Sequence, residues 1–161
     1  MCLPRYCGKQ GGFYPRDDDF AAAKIDEIID TATDITNALG KTFGMKDEEK
    51  KAARVVLATE SLPKYFTALE KLMSENGSTG RSVWTSTRRY NLFLGFYVGK
   101  SMTIADLAMW RLLGWVAGGA LDGIPKDLVE SYPQLNSNMI ATGGNEKIKA
   151  YMAEKYPNLG K

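Results

Sequence analysis

Histidine is absent from all 161 residues. Without an imidazole there is no Ser-His or Cys-His nucleophile pair and no histidine-bearing metal site. Cysteine is nearly as scarce. Cys2 and Cys7 stand close together near the start, at a spacing that is neither a redox CxxC nor half of a zinc site. Free thiols in a reducing cytoplasm are the expectation. Long apolar runs are missing too. The opening MCLPRYCGKQ lacks the apolar stretch of a signal peptide, and the most apolar segment, Leu112 to Leu121, ends at Asp122. It is too short to cross a bilayer and reads as core, so no membrane partner is expected. Charge of either sign is not in excess. With 21 Lys and Arg against 19 Asp and Glu, a net charge of +2 gives no reason to expect nucleic acid as a partner. Asn76-Gly77-Ser78 is a formal glycosylation sequon, read as chance without a secretory signal.

What is present is helical. Apolar residues make up 44% and charged residues 25%, ordinary for one globular domain with a real core. Asp17-Asp18-Asp19 would cap a helix, and Ile25, Ile28, Ile29, Ala32, Ile35 and Leu39 then follow the spacing of one buried face. A second run from near Asp47 to Glu75 places Leu62, Phe66, Leu69 and Met73 on one face, with a kink expected at Pro63. Short helices are expected over 126–131, 133–141 and 145–155. No strand pattern, repeat or low-complexity tract is found. The fold class is all-α, a helical bundle around a central buried helix.

That central helix begins in KSMTIADLAMW. Thr103 and Asp106 form the pattern of an N-capping box, with Asp in place of Glu, flanked by Met102 and Leu107 as a hydrophobic staple. Asp106 therefore reads as structural rather than catalytic. The apolar residues from Leu107 to Trp115 surround this helix, which predicts burial on all sides. The stretch RSVWTSTRRYNLFLG, residues 81–95, fits none of this, with three arginines, no acid and several large apolar residues.

The order of these pieces resembles the C-terminal helical domain of the cytosolic glutathione transferases, nearest to the sigma-like group. GKSMTIADLAMW resembles the capped start of that family's core helix. KIDEIIDTATDI resembles the first helix of its helical domain, and YPQLNSNMIATGGNEKIKAYMAEKYP its closing pair. RYCGKQGGFYP resembles the end of the thioredoxin-like half and the linker. The resemblance implies two units: 1–16 as remnant and linker, and 17–161 as the helical domain with an insertion at 81–95. It also implies that most of the thioredoxin-like half, which activates the glutathione thiol, is missing. A truncated copy is the expectation, with no catalytic residue and no metal assigned.

On its own, the four-residue spacing of Asp26, Asp30 and Asp34 reads as a solvated acidic face or as a stripe facing something cationic. The resemblance implies that Asp34, with Asp30, contacts the ammonium of glutathione bound in the neighbouring subunit of a dimer. It also implies that the first two helices line the substrate pocket, with Leu39 and Phe43 as its wall residues; taken singly, both read equally as ordinary core. Glutathione is then a co-substrate, with no other cofactor. Tyr6, Tyr14 and Tyr97 are weak thiol-activator candidates, because the rest of such a site is missing. Three readings follow: a glutathione transferase acting on electrophiles, a non-catalytic dimerisation or docking module, or a carrier of apolar ligands. Self-association and a cytoplasmic location are expected under each.

Overall fold

A computed structural model describes residues 2–76 and 95–156. Apart from Gly95, the expected insertion lies outside the described residues. Helices α1 (Cys2–Gly11), α2 (Asp19–Gly40), α3 (Asp47–Val56), α4 (Leu62–Glu75), α5 (Ile104–Ala117), α6 (Pro133–Gly143) and α7 (Glu146–Lys155) carry the fold, with no strand among the described residues. A π-helical turn, Leu57–Ser61, joins α3 to α4, and a 3-10 turn, Leu128–Ser131, precedes α6. The chain is all-α.

α2 starts where the three aspartates predict, with the Asp18 carboxylate accepting from the Ala21 N–H at 2.9 Å. All six residues of its predicted apolar face are buried. The interruption expected at Pro63 takes a specific form. Proline lacks an N–H and its ring crowds the carbonyl one turn back. The chain widens by one residue just before it, and the Leu62 N–H reaches Leu57 O across a π turn. Leu62, Phe66, Leu69 and Met73 then face the core as expected.

α5 is central, packed between α2 and α6. Both bonds of its capping box are formed. Its burial on all sides is not. Ile104, Met109, Leu112, Leu113 and Val116 are buried, but Arg111 and Gly114 are exposed and Ala108 and Trp115 only half-buried. α2 places Thr33, Thr36 and Asn37 beside this stripe, small or polar residues that do not fill it.

Three links hold the periphery. The Glu70 carboxylate on α4 accepts from the Gln134 and Leu135 N–H groups at 2.7 and 2.9 Å, capping α6 in trans. The Asn76 side chain donates to Phe96 O and Gly99 O and accepts from the Gly99 N–H, all at 3.1 Å. The helical frame therefore closes at the flanks of 77–94 through one amide. At the other end, Ile104 N–H donates to Phe13 O at 2.9 Å. A Cβ at Gly8 would lie 2.8 Å from Ile104 Cγ2, so only glycine lets α1 approach α5 this closely.

Candidate functional site: an apolar groove between α2 and α5

The half-covered stripe of α5 forms one wall of a groove of about 550 Å³. Ile104, Ala108, Arg111, Leu112 and Trp115 line it from α5, spaced so that they share one helix face. Ile29, Ala32, Thr33, Thr36 and Asn37 line it from α2, and Pro4 closes one end from α1. The Thr33 and Thr36 hydroxyls donate to Ile29 O and Ala32 O, at 2.8 and 2.7 Å. The Thr36 proton is thereby committed to its own helix, and toward a ligand that hydroxyl acts as an acceptor. The volume falls within the range of small-molecule sites.

Trp115 is held from behind. Its ring stacks on Phe43 at 5.8 Å with an interplanar angle of 4°. Arg54 lies over the Phe43 ring, 5.0 Å from its centre. The Arg54 Nε donates to Thr42 Oγ1 at 2.9 Å, and Thr42 donates onward to Leu39 O at the end of α2. Arg54 is 2% exposed and carries no ion pair among the described residues. The negative end of α2 is what offsets its charge there. Leu39 and Phe43, read as core or as pocket walls, both stand away from this groove. Leu39 is in the core, and Phe43 is exposed behind Trp115; neither lines the groove.

The acidic stripe is divided by α1. Arg5 Nε donates to Asp26 Oδ1 at 2.6 Å, and its Nη2 lies 3.6 Å from Asp30. The Tyr14 hydroxyl also donates to Asp26, at 3.1 Å. The hydrogen bond to Asp26 holds the Arg5 guanidinium above its ordinary pKa. Burial, followed by the Asp26 carboxylate, raises that of Tyr14. Asp34 is exposed and has no hydrogen bond or ion pair among the described residues. No group of acids and cysteines among the described residues is arranged to hold a metal ion.

Asp106 lies in the interior, fully buried, away from the groove lining. Its Oδ2 accepts from the Thr103 N–H at 2.7 Å and the Thr103 hydroxyl at 2.8 Å. Its Oδ1 accepts from the Asn138 amide at 2.8 Å and the Tyr97 N–H at 3.2 Å. The buried Tyr97 hydroxyl has no hydrogen-bond partner among the described residues, and burial pushes its pKa well above the ordinary value. Tyr6 is exposed on α1. None of the three tyrosines lines the groove.

The groove walls escaped sequence reasoning because its signal is negative. Ile29 and Ala32 belong to the apolar face that periodicity marks on α2, but Thr33, Thr36 and Asn37 beside them do not. Spacing alone does not show that the strip between them and α5 stays open. Among the described residues no helix is long and apolar enough to cross a membrane.

Comparison with solved structures finds prostaglandin synthase D of Nilaparvata lugens. It superposes with a TM-score of 0.74 at 23% identity, over 97% of this chain and 67% of that one. At that identity the likeness is one of fold. A family model described as glutathione S-transferase, C-terminal domain, matches residues 33–155, most of the chain. The chain belongs to the glutathione S-transferase C-terminal domain family.

Proposed function

We propose that this chain is the acceptor-binding, helical half of a sigma-like glutathione transferase. In such an enzyme the glutathione thiolate attacks an electrophile, and a thioredoxin-like half supplies the thiol activation. Enzymes of this family use glutathione as co-substrate and need no further cofactor. In this reading the groove between α2 and α5 holds the apolar body of the electrophile and shields it from water. Trp115, braced by Phe43 and Arg54, gives it a rigid flat wall. In this reading Asp34, which is exposed and makes no hydrogen bond or ion pair among the described residues, meets the ammonium of glutathione in a partner subunit. Asp30, already 3.6 Å from Arg5, assists it from one turn away.

The observation that carries this reading is the groove itself: apolar, of ligand size, and open because α2 presents small residues to α5. A carrier of apolar ligands is the second reading, since every lining residue comes from the helices described here. Exposed Leu3, Tyr6 and Phe20 support self-association as a homodimer. The exposed Cys7 thiol, free among the described residues, supports a cytoplasmic location.

The test is binding of the neutral dye Nile red and its displacement by chlorodinitrobenzene, in the wild type and in Ala108→Trp. Ala108 is half-buried on the groove wall, so an indole there fills the space. Circular dichroism checks that the variant folds. The reading expects displacement in the wild type and at least tenfold weaker binding in the variant. Equal binding in both would remove it. Retention on immobilised glutathione favours the transferase over the carrier.

A further inference from the structure

Another cavity, of about 330 Å³, lies beside the N-terminal half of α2, enclosed by the end of α4 and the segment 97–99. Its floor is apolar, with Ile28, Tyr97 and Val98 buried and Leu72 half-buried. Its rim is acidic, carrying the exposed Asp18, Glu27 and Glu75, with Lys24 the one base among the described lining residues. These charges are not equally committed. The Asp18 carboxylate accepts from the Ala21 N–H at 2.9 Å and meets the positive end of α2. The Lys24 ammonium lies over the Phe20 ring, 5.3 Å from its centre. Glu75 has an exposed contact with Lys71 at 3.8 Å. The Glu27 carboxylate makes no hydrogen bond or ion pair among the described residues. Glu27 and Glu75 come from different helices, yet both line this one cavity.

We propose that this cavity binds small organic ammonium ions, at a site separate from the groove between α2 and α5. A ring or short apolar chain rests on Ile28, Leu72 and Val98, and the ammonium meets Glu27 and Glu75 at the rim. The volume is at the lower end of small-molecule sites, which suits one ring and a short chain. Acids outnumber the base three to one in the lining, so its field favours a cation over an anion. The acids are not arranged to hold a metal ion among the described residues, and an apolar floor calls for an organic cation instead. A neutral ligand of the same shape finds the same floor and forfeits the attraction of the rim. A ligand that adds a carboxylate beside its ammonium brings a like charge to Glu27 and Glu75. Because these side chains are exposed, solvent screens the pairing and the preference shrinks as salt is added.

The experiment is a methyl-labelled NMR titration of the full chain with phenethylamine, phenethyl alcohol and phenylalanine at neutral pH, read at the Ile28, Leu72 and Val98 methyls. The three ligands share a ring and chain and differ in charge. Wild type, Lys24→Gln and the double variant Glu27→Gln with Glu75→Gln are compared. None of these side chains is buried, and circular dichroism checks that each variant folds. In the wild type, phenethylamine is expected to bind about fivefold more tightly than phenethyl alcohol, the upper end for an exposed ion pair. Phenylalanine should bind more weakly than phenethylamine. The preference for the amine should fall to about one in the double variant and rise in Lys24→Gln, which removes the like charge. A ratio near one in the wild type overturns the proposal. So does a ratio that survives the double variant or fails to rise in Lys24→Gln. Tighter binding of phenylalanine overturns it too, since Lys24 would then be reading a carboxylate. Shifts at the Leu112 methyls, with none at this cavity, would place the amine in the groove, overturning this site while leaving the groove reading intact.

Discussion

The amide of Asn138 donates to the carboxylate of Asp106 at 2.8 Å, joining α6 to the first turn of α5 across 32 positions of sequence. The same amide donates to Gly95 O at 2.8 Å. One buried carboxylate thus gathers its own helix cap, the segment entering it and a neighbouring helix.

Removing Asp106 should therefore cost more than a lost cap, which alone is worth about 1 kcal/mol. Asp106→Ala strands several donors in the interior, and about 3 kcal/mol or more is expected. Asn138→Ala breaks one of these bonds, so the double variant should be less destabilised than the sum of the singles. Urea midpoints measure all three. An Asp106→Ala midpoint equal to the wild type would contradict the hub.

Arg54→Met keeps much of the volume and removes the charge over Phe43 and at the end of α2. A loss of about 1–2 kcal/mol is expected, from the cation–π contact and the helix end together. The bracing of Trp115 should loosen as well, and weaker Nile red binding would report it. A stable variant with unchanged binding would show that Arg54 braces nothing.

Alkaline pH should unfold this protein through its tyrosines. The folded state holds Tyr97 and Tyr14 protonated above their ordinary values, chiefly by burial. Raised folded-state values mean that their stabilisation is whole below about pH 10, the unfolded value. It is lost as pH rises through the folded values. Tyr97→Phe removes an orphaned hydroxyl, so stability at neutral pH should hold or rise slightly, while the alkaline decline becomes shallower. Urea midpoints across alkaline pH check this. A slope identical to wild type would place the decline elsewhere.

Arg5→Ala should act locally. The pair with Asp26 is partly exposed, so its contribution to global stability is under about 1 kcal/mol. Amide exchange within α1 should nevertheless accelerate, because Arg5 ties that helix to α2. Unchanged exchange across 2–14 would mean that Gly8 and Phe13 hold α1 without it.

The parts legible in sequence were those with a local cause. The apolar face of α2, the Thr103–Asp106 box and the break at Pro63 each depend on residues a few positions apart. The long-range pairings were not legible in this way. Glu70 capping α6, Asn138 reaching Asp106 and Arg5 neutralising Asp26 all pair groups whose proximity only the packed helices create. Leu39 stands in the core, as its place on the apolar face of α2 predicts, and Phe43 lies past Gly40, stacked on Trp115. The groove lies where small side chains stand, and an absence of bulk has no periodicity to detect.

The central claim is that the groove between α2 and α5 receives the apolar ligand. A methyl-labelled NMR titration of the full chain with chlorodinitrobenzene tests it most directly. The account predicts shifts at the Ala32, Thr36, Ala108 and Leu112 methyls, with Val55 and Val56 on α3 unmoved. Shifts centred on α3, or none in the groove at saturation of the ligand, would contradict it.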